Sequence, residues 1–408
     1  MAATSDRSSA ADQAPKRYLF VSGLISLGLV LLVLAGNYIT DPYLMHQSDT
    51  AKVQRLQPSR EKLIPWGKTY TVARFQPEVL YLGNSRTELG MPADPSLFGG
   101  KRVFNGAIPG GSLGDAIAMS VHARNVTRLE TVIWGVDYPS FALDGGNTEF
   151  DRELVAQGNH YQLRRFLLDL RRSLSFDMAA DTVNLWGGRR QAVCRSSLAF
   201  FGQRDEACIA ANLRDRGGVA KALVTDVQAV GRKNPGADTA FPAFGSEVAQ
   251  LCRQATRVVI YINPQPALAL ENVYQRAGGD ALHQWTRQLA HTVDTARQAS
   301  CDVTLFDFSG FNSVTSETIP QLSGQPAMQN FWEGSHHRTN VGRQVLARAF
   351  SLPSPPVPSD FGTKLSSGNL QEHLDKQHKD REIYRSTHRA ELRLLEKWSS
   401  DSPPGKHP

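Results

Sequence analysis

Side chains able to perform acyl transfer lie in two short loops of this sequence. Ser85 lies in the turn GNSR, 83–86, directly after an apolar run, and FWEGSHH, 331–337, places Glu333 three residues before His336. A serine hydroxyl becomes nucleophilic when an imidazole takes its proton and a carboxylate orients that imidazole. These residue types therefore predict Ser85 as nucleophile, His336 as base and Glu333 as orienting acid.

Each of these signals also has a simpler structural explanation. A serine in a polar turn is commonly a helix N-cap. Glu-x-x-His is also a fragment of metal sites, but no second His or Cys cluster accompanies Glu333 and His336, so we expect no metal and no cofactor. His337 is an alternative to His336 as the base.

Two further loops carry groups suited to the same chemistry. The loop NGAIPGGS, 105–112, is rich in glycine, so its backbone can approach a substrate and its N–H groups can donate to an oxyanion. The same loop also fits a helix lead-in with Ser112 as N-cap. Asp137 follows a third apolar run.

The elements that must position these loops alternate between strands and helices. The predicted strands are the apolar runs 78–83, 102–108, 131–136, 257–263 and 303–308. The predicted helices are 112–125, roughly 271–300 and approximately 340–350. Apolar strands separated by helices indicate a doubly wound α/β fold with a parallel sheet. Such sheets bind ligands beyond the carboxyl ends of their strands, where the loops above lie.

Two regions depart from this alternation. Residues of about 140–250 contain the helix-like stretches 162–173 and 218–231, and we expect them to form an inserted helical lid. The segment 351–408 begins with a Pro-rich linker and ends in a tail of mixed charge, which is either one exposed helix or disorder.

The stretch 18–40 contains no charged residue and is long enough to cross a membrane as a helix. A cleaved signal peptide is the alternative, although its apolar region usually runs about 7–15 residues. Lys16 and Arg17 precede the stretch, which predicts a cytoplasmic tail at 1–17. Residues 41–70 are then a linker, and the domain at 71–350 lies outside, in the periplasm of a bacterium.

Composition narrows the classes of function. The net charge is +6, and no basic run with interleaved aromatic residues is present, so nucleic acid is not an expected partner. An oxidising compartment permits disulfides among the cysteines. Cys252 with Cys301, at one sheet edge, and Cys194 with Cys208, in a local loop, are candidate pairs, and free thiols are the alternative.

The order of these motifs resembles the SGNH (GDSL-type) hydrolase superfamily, with its flavodoxin-like fold. The resemblance implies that Ser85 is the nucleophile, Gly110 an oxyanion-hole donor beside the Ser85 N–H, Glu333 the acid and His336 the base. It covers roughly 78–350, without the insert. In that family an aromatic or apolar residue usually follows the catalytic histidine, which favours His336 as the base.

Two positions depart from the family pattern. Asn84 replaces the usual Asp before the nucleophile, and Asp137 stands where an oxyanion-hole Asn is expected. An ionised carboxylate cannot donate a hydrogen bond, so Asp137 is protonated, turned away, or replaced by another donor. Asn105, which opens the Gly-rich block, is a further candidate site residue.

Arg86 and the layout behind a membrane anchor resemble the O-acylation branch of the family. That branch includes the alginate O-acetylation proteins and the D-alanylation protein of teichoic acid synthesis. The resemblance implies an esterase or acyltransferase in the bacterial inner membrane that acts on O-acyl esters of an envelope or exported glycan. A transferase implies an integral-membrane acyltransferase as partner. The alternative is an inactive scaffold or glycan-binding module.

Overall fold

The computed structural model describes residues 7–46, 60–187, 201–229, 236–324 and 327–400. Its centre is a six-stranded sheet in the order β2-β1-β3-β4-β5-β6. The strands are β1 Val79–Leu82, β2 Val103–Asn105, β3 Thr131–Val136, β4 Arg257–Ile262, β5 Val303–Asp307 and β6 Thr363–Leu365.

The first five strands pair in parallel, and β6 joins β5 in the antiparallel direction. Strands β2 and β3, which follow β1 in the chain, lie on opposite sides of it. The strand order therefore reverses at β1, and the loops after β1 and β3 lie at a topological switch point, where doubly wound sheets bind ligands. The predicted doubly wound α/β fold is therefore confirmed. All five predicted strands are present, the third with the predicted limits.

Helices cover both faces of this sheet. In chain order they are α1 Arg7–Thr40, α2 Arg60–Phe75, α3 Ser85–Gly90, α4 Leu113–Val126, α5 Tyr161–Ser173, α6 Phe176–Trp186, α7 Glu206–Asp215, α8 Val219–Ala229, α9 Ala237–Arg253, α10 Ala267–Ala277, α11 Gly279–Gln298, α12 Pro320–Ser323, α13 Thr339–Phe350, α14 Leu370–Thr387 and α15 Arg389–Ser400. The single helix predicted at 271–300 is two helices, because Gly278 has a φ of +88° and ends α10.

The core has two halves, one on each face of the sheet, and alternate residues of each strand belong to different halves. Leu80 and Leu82 of β1 pack in one cluster with residues of α4, α9 and α11. Val79 and Tyr81, which point the other way, pack in a second cluster with residues of α13. Successive strand side chains point to opposite faces, so a strand buried on both sides must be apolar throughout.

Three predicted boundaries differ in the structure. Helix α9 packs on the sheet through Phe244 and Val248, so it is a crossover helix, and the insert between β3 and α9 is shorter than predicted. Helix α2 occupies part of the predicted linker 41–70 and buries Lys68. The predicted tail adds strand β6 and two packed helices, with Leu395 fully buried.

The cysteine pairing agrees with one of the alternatives above. Cys252 and Cys301 form a disulfide between the residues that precede β4 and β5. Cys208 is also disulfide-bonded, and Cys194 lies outside the described residues.

The N-terminal helix α1 contains an apolar segment of 26 residues, Pro15–Thr40, that is long and apolar enough to cross a membrane. Its membrane-length window is not buried against the rest of the protein. Its last turns are different, because Asn37 and Thr40 are buried against the folded domain. Helix α1 therefore ends inside the domain's packing.

Candidate active site

Ser85 is the first residue of helix α3, directly beyond the carboxyl end of β1. Gly83 makes the turn with a φ of +143°, and a Cβ there would lie 2.5 Å from Thr87 Oγ1 and 2.9 Å from the Gly135 carbonyl oxygen. The Asn84 side chain caps α3 by accepting from the N–H of Arg86 at 3.0 Å. Only glycine fits at this position. The turn places the Ser85 hydroxyl just beyond the carboxyl end of β1.

The structure joins Ser85, His336 and Glu333 in one hydrogen-bond relay. His336 Nε2 lies 2.8 Å from Ser85 Oγ, and His336 Nδ1 lies 2.5 Å from Glu333 Oε1. Although 251 positions separate Ser85 from His336 in the chain, the two loops meet at the switch point. In this geometry Nδ1 donates to Glu333 and Nε2 accepts from the serine hydroxyl, as a general base requires.

Glu333 is buried and held in its charged form. Its Oε1 also accepts from the backbone N–H groups of His336 at 2.8 Å and Ser335 at 3.2 Å. Burial alone would raise the pKa of the Glu333 carboxyl, but the adjacent His336 and these hydrogen bonds lower it below its usual range. The carboxylate can therefore stabilise an imidazolium on His336.

A second carboxylate, Asp226 of α8, lies beside the relay. Asp226 Oδ2 accepts from the N–H of Gly334 at 3.2 Å, and Oδ1 lies 3.5 Å from a guanidinium nitrogen of Arg216. Burial and the charge of Glu333 raise the pKa of Asp226 to about 6, against the opposing charges of His336 and Arg216. Sequence reasoning missed this residue, because nothing in the helical pattern of 218–231 marks which side chain meets the loop 333–336.

Asp137 is not positioned as an oxyanion donor. Its Oδ1 lies 2.6 Å from Arg86 Nη1 and accepts from Ser140 Oγ at 2.7 Å, and its Oδ2 accepts from Asn84 Nδ2 at 2.8 Å. Burial alone would raise the pKa of Asp137, but Arg86 and the hydrogen bonds lower it. Of the alternatives above, the protonated one is therefore wrong, since Asp137 is an anion held by its neighbours.

Arg86 connects three loops at the carboxyl end of the sheet. It follows Ser85, forms the ion pair with Asp137 after β3, and donates from Nε to the Ser335 carbonyl oxygen at 3.1 Å. Ser335 directly precedes His336. Arg86 therefore positions the His336 loop relative to Ser85.

The glycine-rich loop is tied to the nucleophile turn. The N–H of Ile108 donates to the Gly83 carbonyl at 2.9 Å, and Asn147 Nδ2 donates to the Pro109 carbonyl at 2.6 Å. Gly110 follows with a φ of +65°. Neither the Gly110 N–H nor the Ser85 N–H donates a hydrogen bond to another residue that the structure describes. Both N–H groups are therefore unpaired within the described part of the chain.

Two other candidate residues have structural roles. Asn105 is fully buried, and its side-chain amide donates to the Thr87 carbonyl at 2.9 Å, so it supports α3 from below. His337 is fully buried, its Nε2 has no partner among the described residues, and a Cβ on Gly90 would overlap its ring. Burial lowers the pKa of His337 to about 4. His337 therefore faces the packing of α3, and only His336 reaches Ser85.

Lid helices α7 and α8 pack over the loop that carries the base. Trp332 is buried in a cluster with Ile209 and Leu213 of α7, and the Arg338 guanidinium lies 3.9 Å from the centre of its ring. Trp332 is therefore part of the packing between the lid and this loop. The insert therefore contacts the loop of Glu333 and His336 at two points. Helix α7 packs on Trp332, and Asp226 of α8 accepts from the Gly334 N–H.

The arrangement as a whole fits nucleophilic acyl transfer. A serine hydroxyl contacts a histidine that a carboxylate orients, and two loops at the same edge of the sheet carry unpaired backbone N–H groups. Within the described ranges, no group of three or more His, Cys, Asp or Glu side chains is arranged to hold a metal ion.

Comparison with known proteins adds little to this geometry. No known family profile and no curated protein matches the chain. The chain is similar to the solved structure of a candidate acylhydrolase from Bacteroides fragilis, with 12% identity, a TM-score of 0.32, and 72% of this chain and 87% of that chain covered. It is also similar to that of a candidate platelet activating factor from Streptococcus pneumonia, with 12% identity, a TM-score of 0.33, and 70% and 90% covered. Similarities at this level assign the chain to no family.

Proposed function

We propose that this chain is a membrane-anchored, serine-dependent enzyme of the SGNH type that acts on O-acyl esters. The observation that carries the proposal is the relay from Ser85 Oγ through His336 to Glu333, with contacts of 2.8 and 2.5 Å. Its residues come from loops far apart in the chain.

In the proposed reaction, Ser85 Oγ attacks the ester carbonyl carbon while His336 Nε2 takes the hydroxyl proton. The tetrahedral intermediate collapses when the imidazolium returns that proton to the departing alkoxide, which leaves as an alcohol and leaves the acyl group on Ser85. Water or a sugar hydroxyl then attacks the acyl-serine, with His336 again as base. Water makes the enzyme an esterase, and a sugar hydroxyl makes it a transferase.

The oxyanion of each intermediate would be held by the N–H groups of Ser85 and Gly110. Both groups are unpaired within the described part of the chain, and Ser85 is the first residue of a helix, where the backbone favours negative charge. Asp137 would contribute indirectly, by holding Arg86 and Asn84 in place.

The proposed substrate is an O-acyl, most simply O-acetyl, ester of an envelope or exported glycan. Support comes from the membrane-length helix and the disulfides, which together fit a domain outside a bacterial inner membrane. Such an anchor would keep the site near an integral-membrane acyltransferase that supplies acyl groups. The charged residues Lys16 and Arg17 favour a cytoplasmic N-terminus.

The test is ester turnover by the full-length protein in detergent, with 4-nitrophenyl acetate and with an O-acetylated glycan as substrates. We expect Ser85→Ala to abolish turnover, because the acyl-enzyme cannot form. His336→Ala should lose about 10³-fold or more in kcat, as is typical for loss of the base in such a relay. Trapping the acyl group on Ser85 by mass spectrometry would identify the nucleophile directly.

Ser96→Ala is the matched control, because Ser96 is exposed and its side chain bonds to Asp94 in its own turn. Equal turnover by the wild type and Ser85→Ala would exclude Ser85 as nucleophile. Acetyl transfer to a glycan hydroxyl without hydrolysis would assign the transferase role. If neither substrate reacts and no acyl-serine forms, the esterase role is excluded, and acetyl analysis of the glycan from a deletion strain then decides between a transferase and a non-catalytic scaffold or glycan-binding module.

A further inference from the structure

Helix α5 turns its apolar side chains outward. Leu163, Phe166 and Leu167 are 59%, 61% and 55% exposed, and Leu170 is 39% exposed on the same side. Helices that face water on a globular protein show the opposite arrangement, with the apolar stripe toward the core. This side of α5 is therefore built to contact something other than water.

The polar side of α5 is fixed against the protein. Arg164 donates from Nη2 to the Val155 carbonyl oxygen at 2.9 Å, and the Arg165 guanidinium lies 3.9 Å from the centre of the Tyr70 ring. Asp169 accepts a hydrogen bond from the Tyr70 hydroxyl. These contacts prevent α5 from rotating about its axis to bury its leucines, so the protein itself holds the apolar face outward.

Helix α6 continues the same kind of surface. Phe176 at its start is 94% exposed, and Val183 and Trp186 farther along are 62% and 66% exposed. Tryptophan at such a position is typical of the interface between lipid and water, where its ring contacts apolar chains and its N–H keeps a polar partner. We call the exposed side chains of α5 and α6 the apolar platform.

The apolar platform adjoins the end of the membrane-length helix. Asn37 of α1 donates to the Ser173 carbonyl at 2.8 Å and accepts from Thr182 Oγ1 at 2.7 Å. Trp186 Nε1 donates to Thr40 Oγ1 at 2.8 Å. The candidate span of 26 residues is about 39 Å long, more than the roughly 30 Å of hydrocarbon, so both of its ends can reach headgroup depth. Helices α5 and α6 contact its last turns.

We propose that the apolar platform is a membrane-binding surface that inserts into the outer face of the bilayer next to α1. The proposal rests on the proposed anchor. Lipid is the fitting occupant because the platform continues the exposed apolar surface of α1, where Leu32 and Ile39 are 70% and 68% exposed. Two attached elements, one spanning and one lying in the interface, would hold the active-site domain in one orientation on the membrane.

The test uses the full-length chain with its disulfides oxidised, carrying one added cysteine labelled with an environment-sensitive fluorophore. The protein is reconstituted in vesicles of phosphatidylethanolamine and phosphatidylglycerol, with or without doxyl-labelled phosphatidylcholine. Val30→Cys reports on the span and Phe166→Cys on the platform. Ile383→Cys is the matched control, since Ile383 is also 61% exposed but lies on α14, the helix that follows the edge strand β6.

We expect doxyl lipid to quench the labels at 30 and 166 but not the label at 383. A doxyl group near the headgroup should quench position 166 more than one near the chain end. Adding Leu163→Glu and Leu167→Glu should reduce the quenching at 166 and leave that at 30 unchanged.

Quenching at 30 with none at 166 would overturn the membrane-binding surface while keeping the anchor. A label at 166 that is shielded from water but not quenched by lipid would identify a protein occupant, which also overturns the proposal. No quenching at 30 would remove the anchor and the platform together. Ester turnover by the same preparations reports separately on the catalytic relay.

Discussion

Charged side chains around Ser85 form two separate pairs with different tasks. Glu333 and His336 form the proton relay, while Arg86 and Asp137 connect the loops that carry it. Asp226 adds a third carboxylate that is shared between the relay and the lid. Because its pKa is raised to about 6, Asp226 changes charge just below neutral pH.

The first prediction concerns Asp226→Asn. Above pH 6 the wild-type carboxylate is ionised, and its charge stabilises the His336 imidazolium of the transition state. Below about pH 5 it is protonated and neutral, like the asparagine. The kcat of the variant relative to wild type should therefore be near one below pH 5 and fall to a deficit of about threefold to tenfold above pH 7.

The measurement is a pH profile of kcat for both proteins. Asp226→Glu should restore most of the lost rate at high pH, and Asp238→Asn, an exposed substitution on α9, should change nothing. A deficit that stays constant from pH 5 to 8 would show that Asp226 acts only through packing.

The second prediction concerns Arg86→Met. It leaves the Asp137 carboxylate, only 5% exposed, without its cation, which should cost about 3–5 kcal/mol of stability. Adding Asp137→Asn removes the unpaired charge and should recover most of that stability. Urea unfolding measures both effects.

Arg102→Met is the control, since Arg102 is half-exposed and its ion pair with Glu78 should contribute at most about 1 kcal/mol. An additive double variant would contradict the pairing.

At the scale of elements, helix α8 is the part of the lid on which the site depends. It packs closely on the loop that carries Glu333 and His336. A Cβ added at Gly334 in that loop would lie 3.0 Å from Leu223 and 3.2 Å from Asp226 of α8. Helix α8 also packs on α15, through Leu395 and Trp398. The packing of α15 against α8 therefore supports the candidate site indirectly.

The third prediction follows from that support. Leu395→Ala removes a fully buried side chain and should cost about 2–5 kcal/mol in the free energy of unfolding. It should also lower kcat/KM, since a loosened α8 releases Gly334 and Asp226. Ile383→Ala, exposed on the neighbouring helix, should change stability by about 0.5 kcal/mol or less. Full activity in a destabilised Leu395→Ala protein would separate α15 from the site.

At the scale of the whole molecule, the two ends of the sheet have different functions. The carboxyl ends of the strands carry the relay, the glycine-rich loop and the lid. The amino ends carry the disulfide between Cys252 and Cys301, which precede β4 and β5. We therefore expect stability and activity to respond to different substitutions.

The fourth prediction uses this separation. Replacing both Cys252 and Cys301 by serine frees a loop with a sequence separation of 49, and the loop-entropy relation assigns about 4 kcal/mol to that closure. We expect a lower Tm and an unchanged kcat at 25 °C. Calorimetry and ester turnover measure the two effects. A large loss of kcat in the folded variant would show that the sheet transmits strain between its ends.

The sequence by itself determined the strands, most crossover helices and the order of the motifs. These features depend on local patterns, because apolar runs and helical spacing are set by neighbours in the chain. The proposed site residues Ser85, His336 and Glu333 belong to this group, since parallel strands bring their carboxyl ends to one edge. The break in the predicted helix 271–300 was missed, because a single glycine such as Gly278 is only a weak local indication that a helix ends.

The tertiary structure alone decided contacts between segments far apart in the chain. The carboxylate of Asp226, the Arg86 pair with Asp137 and the packing of α15 under the lid depend on which faces meet, and no local pattern encodes that. The outward apolar face of α5 is a similar case, because helical spacing shows that a helix has an apolar stripe but not whether the stripe points to the core or away from it.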